Sequence, residues 1–131
     1  MKQLYIVIIL LIVSCSTTKN FSEDKIHYRK TACLGKCPVF DLYVYDNGKV
    51  IFNGVNNTKI KGEATYHISA QQVKLLKGEL SKLSSVVDSE SKKGRDLPKT
   101  IVNFDNKTLA FKGNKNLIVF NNLLKQLDLL H

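Results

Sequence analysis

The sequence has no apolar run long enough to cross a bilayer as a helix, which requires about twenty residues. Its longest apolar run, at residues 4–13, has only ten residues. It also has no low-complexity tract, and hydrophobic residues make up 44% of the chain against 24% charged residues. This composition excludes an intrinsically disordered chain and predicts a globular body.

The sequence has no run of about five or six lysines with interleaved aromatic residues, although its net charge is +9. The lysines are scattered along the chain instead. A specific nucleic-acid partner is therefore not indicated. The positive charge predicts attraction to anionic surroundings, so an envelope protein, an anionic glycan or lipid head groups are the expected partners.

The sequence also has no set of residues that indicates an enzyme class. There is no glycine-rich phosphate loop and no serine in a nucleophile elbow. Asp46 and Asp105 are explained as turn residues, and no two carboxylates have a spacing that indicates acid–base catalysis. The sequence therefore favours a binding role over catalysis.

The first residues have the features of a bacterial export signal. Lys2 gives a positive start, and the apolar run at residues 4–13 follows it. The next residues, Ile12-Val13-Ser14-Cys15, resemble the lipobox of bacterial lipoproteins. The resemblance implies cleavage of a signal peptide at residues 1–14 and attachment of lipid, including acyl chains such as palmitate, to Cys15. Several buried acyl chains make a firm membrane anchor.

The residues after Cys15 indicate where the anchored protein lies. Ser16 stands where an aspartate would resemble an inner-membrane retention signal. The resemblance therefore implies the cell envelope of a Gram-negative bacterium, at the outer membrane. Residues 15–24 are polar and without periodicity, which predicts a flexible tether.

Residues 25–131 are predicted to form one domain, because their length suits a single core. Alternation of apolar and polar residues predicts strands, and the Asn47-Gly48 pair predicts a hairpin turn between two of them. The predicted strands cover residues 25–31, 39–45, 49–53, 58–66, 100–104 and 107–111.

Two helices are predicted. Ser69 and Gln72 form a capping box at the start of the first, whose buried stripe continues to Leu83. The second starts near Asn114 or Asn116, and residues 84–99 are expected to form a loop. The order of elements predicts an α+β domain, an antiparallel sheet with two helices packed on one face in β4-α-β2-α order.

The sequence Cys33-x-Gly35-x-Cys37-Pro38 resembles the motif of an uncharacterised bacterial family of unknown function, common in lipoproteins and secreted proteins of Gram-negative bacteria. The hairpin at residues 45–54, Gly62, and Asp96-x-Pro98 also resemble that family. The resemblance covers residues 26–130. It implies domain limits, a fold and an envelope location, and it implies no activity.

Cys33 and Cys37 are predicted to form a structural disulfide. With Cys15 attached to lipid, these are the two cysteines that remain, and an even number of cysteines in an oxidising compartment favours a disulfide. A turn at Gly35 brings their α-carbons within disulfide distance. The closed loop is short, so the bond contributes roughly 2 kcal/mol and mainly fixes the turn.

A copper or thiol-redox site is the alternative at these cysteines. Cys-x-x-x-Cys-Pro resembles the motif of thioredoxin-fold copper-delivery proteins, and thiolates are suitable ligands for Cu(I). His27 or His67 is the third ligand in this alternative. However, Pro38 leads into a predicted strand, so the helix terminus that lowers thiol pKa values in such motifs is missing.

Tyr43, Tyr45 and Lys49 are the candidate contact surface, because they share the exposed face of the first predicted hairpin. Tyrosine and basic residues suit interfaces. Packing of the two tyrosines on the second face of the sheet is an equally good interpretation. The sequence thus predicts a lipid-anchored envelope binding module with a structural disulfide.

Overall fold

The computed structural model describes residues 24–83, 98–112 and 117–129. The predicted signal peptide, Cys15 and nearly all of the predicted tether lie outside these residues. So do most of the predicted loop at 84–99 and the predicted start of the second helix at Asn114 or Asn116.

The described residues form one antiparallel sheet and two helices. The strands are β1 (Lys25–Lys30), β2 (Val39–Tyr45), β3 (Lys49–Asn56), β4 (Gly62–His67), β5 (Lys99–Phe104) and β6 (Lys107–Lys112), and the helices are α1 (Ala70–Lys82) and α2 (Ile118–Gln126). The strands lie in the order β4-β3-β2-β1-β5-β6. None of the described helices is long and apolar enough to cross a membrane.

The prediction of an α+β domain with two helices packed on one face in β4-α-β2-α order is wrong. The structure is mostly a six-stranded antiparallel sheet, and its two helices are short, with 13 and 9 residues. β1 pairs with β2 on one side and with β5 on the other. Strands that follow α1 in the chain therefore join the same sheet as the first four. Hydrophobic periodicity is local and does not report such pairing.

One face of the sheet forms the core. Phe40, Leu42 and Val44 of β2 are fully buried, because alternate side chains of a strand point to the same face. Buried residues of both helices belong to the same cluster. Tyr28 of β1 stacks on Phe120 of α2, with ring centroids 4.9 Å apart.

The opposite face carries polar and aromatic side chains. His27 and Arg29 of β1 lie on it, and so do Asp41, Tyr43 and Tyr45 of β2. All five are more exposed than the core residues that alternate with them. We call this side of the sheet the polar face.

Helix α1 begins as the capping signals predict. The Gln72 backbone N–H donates to the Ser69 hydroxyl oxygen at 3.2 Å, and the Ser69 N–H donates to the Gln72 side-chain oxygen at 3.0 Å. This reciprocal pair satisfies donors that the first turn of a helix leaves unpaired. Val73, Leu76 and Leu80 then form its buried side.

Gly54 lies where β3 passes against the chain that leads into β4. A Cβ atom at this position would lie 1.9 Å from the Ile60 carbonyl oxygen and 2.6 Å from the Thr58 hydroxyl oxygen. The Thr58 hydroxyl also donates to the Ile60 carbonyl at 2.7 Å, which fixes both atoms. The site therefore accepts only glycine without movement of the backbone.

We expect opposite effects from alanine at two glycines. Gly54→Ala lowers the free energy of unfolding by about 1–3 kcal/mol, because the new methyl group displaces the Ile60 backbone. Gly78→Ala raises it by up to about 1 kcal/mol, because Gly78 lies within α1 and a Cβ atom there would meet nothing within 4 Å beyond the helix's own backbone. Urea denaturation measures both. Equal stability of the two variants would contradict the close approach at Gly54.

Candidate functional site

The loop between β1 and β2 is closed by the Cys33–Cys37 disulfide, so the predicted bond is present. The two α-carbons are 5.8 Å apart. The Asn57 side-chain amide donates to the Cys37 carbonyl at 3.2 Å, which attaches the loop to the end of β3. Before the disulfide, the Thr31 N–H donates to the Lys99 carbonyl at 3.0 Å. The loop is therefore fixed at both ends to neighbouring strands.

The structure does not bring the alternative copper ligands together. The sulfurs of Cys33 and Cys37 are bonded to each other. His27 pairs with Tyr43, which lies four residues, or about 13 Å, along β2 from Val39, whereas both cysteines lie in the loop before that strand. His67 lies on β4 at the sheet edge, opposite Lys49. Within residues 24–83, 98–112 and 117–129, no three His, Cys, Asp or Glu residues are grouped as metal ligands.

Asp41 is the centre of an ion-pair cluster on the polar face. Its Oδ1 accepts a hydrogen bond from His27 Nε2 at 2.6 Å and one from Arg29 Nε at 2.7 Å. An ionised carboxylate only accepts hydrogen bonds, so Nε2 of His27 carries the hydrogen. The Asp41 and His27 side chains are only 14% and 18% exposed. The contact between Asp41 and His27 is therefore largely shielded from water, whereas the Arg29 side chain is 49% exposed.

The surroundings of Asp41 keep it ionised. Burial alone raises its pKa, but the hydrogen bonds from Arg29 and His27 and the positive charge of Arg29 outweigh burial, and the pKa lies below its ordinary value. The same contact raises the pKa of Arg29. Asp41 is therefore a carboxylate at neutral pH, and its Oδ1 accepts from two partners.

The hydrogen-bonded chain continues from His27 onto β5 and β6. The Asn103 side-chain nitrogen lies 3.3 Å from His27 Nδ1, and the Thr108 hydroxyl donates to the Asn103 side-chain oxygen at 2.8 Å. Because the Asn103 oxygen accepts from Thr108, its amide nitrogen is the atom that donates to His27. Neutral His27 is thus satisfied at both ring nitrogens. We call Arg29, Asp41, His27, Asn103 and Thr108 the polar network.

Lysines lie over aromatic rings beside this network. The His27 ring stacks on Tyr43 with centroids 4.5 Å apart. The ammonium group of Lys25 lies 5.3 Å from the Tyr43 ring and 5.8 Å from the Tyr45 ring, and that of Lys49 lies 6.0 Å from the Tyr45 ring. We call Lys25, Tyr43, Tyr45 and Lys49 the tyrosine–lysine patch. It contains all three residues of the predicted contact surface.

A depression of about 590 Å³ lies where the polar network meets the β5–β6 turn. Its lining includes His27, Asn103 and Thr108 from the network. Lys25 and Lys107 also line it. The depression has the size of a small-molecule site, for which about 300–1,000 Å³ is typical.

Two ionisable groups lie on the core side of β1 instead. Lys30 is only 4% exposed, and burial lowers its pKa. Burial also raises the pKa of Tyr28 to about 12, although the Thr100 hydroxyl partly offsets this effect. These groups therefore belong to the packing of the sheet, away from the polar face.

The sequence patterns did not identify the polar network. His27 and Asp41 are 14 positions apart, a separation that belongs to no catalytic or metal-binding motif. Alternation was a usable signal, because it places His27 and Asp41 on the polar sides of two predicted strands that follow each other in the chain. Asn103 and Thr108 had a similar signal, as they flank the predicted turn at Asp105 and Asn106.

These features define a small antiparallel sheet domain with a disulfide-closed loop and a polar network across its central strands. Residues 24–129 match the family described as Domain of unknown function (DUF6438), and the chain belongs to that family. Neither a curated protein nor a solved structure matches the chain.

We expect the stability contributed by Asp41 to depend on pH. Because the pKa of Asp41 in the folded protein lies below its ordinary value of 3.8, this contribution is complete above pH 4 or so and is lost as the pH falls through the folded pKa. At neutral pH, Asp41→Asn lowers the free energy of unfolding by about 1–3 kcal/mol, because two charge-assisted hydrogen bonds weaken. Urea denaturation between neutral pH and acid measures the difference from wild type.

Asp46→Asn is the matched control for Asp41→Asn. Asp46 pairs with Lys77, but its side chain is 52% exposed, so its loss changes stability by about 0.5 kcal/mol or less. A difference between wild type and Asp41→Asn that persists unchanged into strong acid would show that Asp41 does not stabilise the fold as a carboxylate.

We expect the disulfide to make a modest contribution to stability. Replacing both Cys33 and Cys37 with serine lowers the free energy of unfolding by roughly 2 kcal/mol, because the closed loop is short. Leu34→Ser, in the same loop, is the control, since Leu34 is 91% exposed and its change affects stability by about 0.5 kcal/mol or less. A loss of folding in the double variant would mean that formation of the whole sheet depends on the closed loop.

Proposed function

We propose that this protein is a lipid-anchored binding module of the bacterial cell envelope that holds an anionic glycan on the polar face of its sheet. The tyrosine–lysine patch is the observation that carries this proposal. Lys25 and Lys49 lie over tyrosine rings and have no carboxylate partner among the residues that the structure describes. Their charge is therefore available to a ligand.

The chemistry of the patch suits a glycan. The faces and edges of tyrosine rings contact the apolar sides of sugar rings, and the phenol hydroxyls of Tyr43 and Tyr45 pair with sugar hydroxyls. Lysine ammonium groups attract carboxylate or phosphate groups on the same glycan, and the ring beneath each ammonium group keeps it in place. The net charge of +9 adds a general attraction in the same direction.

The envelope location rests on the amino-terminal sequence. The lipobox-like residues 12–15 support lipidation of Cys15 and anchoring at the outer membrane, in a protein with the Cys-x-Gly-x-Cys-Pro motif. Residues 15–24 tether the domain, and β1 starts at Lys25 directly after them. The patch therefore lies at the anchored end of the first strand.

Co-sedimentation with purified peptidoglycan sacculi tests the proposal, with the full-length protein extracted from membranes. The double variant Lys25→Gln/Lys49→Gln is expected to bind about five- to thirtyfold more weakly, because each ammonium group over a ring contributes about 0.5–1 kcal/mol. Its charge-matched control is Lys74→Gln/Lys125→Gln, which changes two exposed helix residues and is expected to bind like wild type.

Three outcomes would contradict this function. Equal weakening of both double variants would show binding by overall charge, with no role for the patch. Binding to phosphatidylglycerol vesicles but not to sacculi would indicate a lipid partner. Failure to bind either, with capture of one envelope protein that depends on Lys25 and Lys49, would indicate a protein partner.

A further inference from the structure

The depression beside the polar network is lined by charges of both signs. Three lysines line it, and the aspartates Asp24 and Asp105 offset two of them. Lys77 also pairs with Asp46 at 2.5 Å, whereas Lys25 and Lys107 have no carboxylate partner in the described part of the chain. One carboxylate on a ligand matches the two lysines that lack such a partner. A dianion such as a phosphate monoester meets the two aspartates as well.

The neutral lining of the depression suits hydroxyl groups. Asn103 donates one N–H to His27 and accepts from Thr108, so its second N–H remains for a ligand oxygen. The Thr108 oxygen donates its only hydrogen to Asn103, so its lone pairs accept from a ligand hydroxyl. An adjacent donor and acceptor together match a sugar hydroxyl, which both accepts and donates.

The polar network holds these two groups in place before a ligand arrives. Asp41 fixes the ring of His27 through Nε2, and His27 in turn orients the Asn103 amide through Nδ1. Thr108 fixes the same amide from the other side. All four residues lie on strands, so little side-chain freedom is lost on binding.

We propose that this depression binds a sugar that carries one carboxylate, a uronic acid. Lys25 and Lys107 face the carboxylate, and Asn103 and Thr108 bind ring hydroxyls. The inference rests on the proposed function and deepens it, because it names the class of sugar that the polar face recognises. His27 and Asp41 are positioning residues in this site.

An NMR titration of the full-length protein in detergent micelles tests the inference, with D-glucuronate as the probe. D-Glucose is the neutral analogue, and D-glucose 6-phosphate is the dianionic one. We expect glucuronate to shift the resonances of Asn103, Thr108 and Lys107, and to bind at least about tenfold more tightly than either analogue, because only glucuronate matches both the charge and the hydroxyl contacts.

Lys107→Gln separates the site from its surroundings. Lys107 is exposed beside the β5–β6 turn, so the variant keeps its fold, and glucuronate is expected to bind it about five- to tenfold more weakly. Lys112→Gln, at the far end of the same strand and outside the depression, is expected to bind like wild type. Asn103→Ala is expected to lose the hydroxyl contact and to bind glucuronate more weakly, while the preference for glucuronate over glucose remains because the lysines are unchanged.

Several results would overturn the inference. These are equal binding of glucose and glucuronate to the wild type, tighter binding of glucose 6-phosphate, or equal effects of Lys107→Gln and Lys112→Gln. If sacculus binding still depends on Lys25 and Lys49 while glucuronate does not bind, the uronic-acid site fails and the proposed function stands. If glucuronate binds as expected but neither sacculi nor a polysaccharide of uronic acids is bound, the proposed function fails and the site stands.

Discussion

The register between β1 and β2 is the constraint on which the rest of the structure depends. A shift of one residue in the register of β1 would move every side chain of β1 to the other face of the sheet. The observed register places Tyr28 in the core against Phe120 and places Arg29 opposite Asp41 on the polar face. The loop between the two strands is closed by a disulfide and bonded to β3 and β5 at its ends. Core and candidate site are therefore set by one pairing.

The charged side chains on the polar face have two different roles. Asp41 is the acceptor for both His27 and Arg29, so its negative charge is used inside the polar network. Lys25 and Lys49 lie over tyrosines, which orient an ammonium group without neutralising it. The network therefore gives rigidity with little net charge, whereas the patch keeps positive charge available. A binding face needs both properties.

Local structure was predictable from the sequence because its signals are local. Alternation of Phe40 and Leu42 with polar residues indicated β2, and Ser69 with Gln72 indicated the start of α1. The fold class was not predicted correctly, because the pairing of β1 with β5 joins residues such as Tyr28 and Val102 that are far apart in the chain. The alternation within β1 or β5 does not specify which strand it pairs with.

Only part of the candidate site was predictable from the sequence, for the same reason. Alternating residues of one hairpin share a face whatever the rest of the sheet does, so Tyr43, Tyr45 and Lys49 of the patch were predictable. Lys25 joins them only through the pairing of β1 with β2. The polar network takes residues from β1, β2, β5 and β6, and its members meet only after the sheet has formed.

The position of the polar network within the sheet suits it to the recognition of a ligand. β1 and β5 each pair with a neighbour on both sides, so His27 and Asn103 project from backbone that is fixed along both edges. The β5–β6 turn is different, because Asp105 and Asn106 adopt positive φ angles of 49° and 57° in a tight exposed hairpin that carries Lys107 at the rim. Hydrogen-bonding groups thus lie on the rigid part and a charge lies on the exposed part. In such an arrangement the charge draws a ligand in, and the fixed amide and hydroxyl decide which ligand stays.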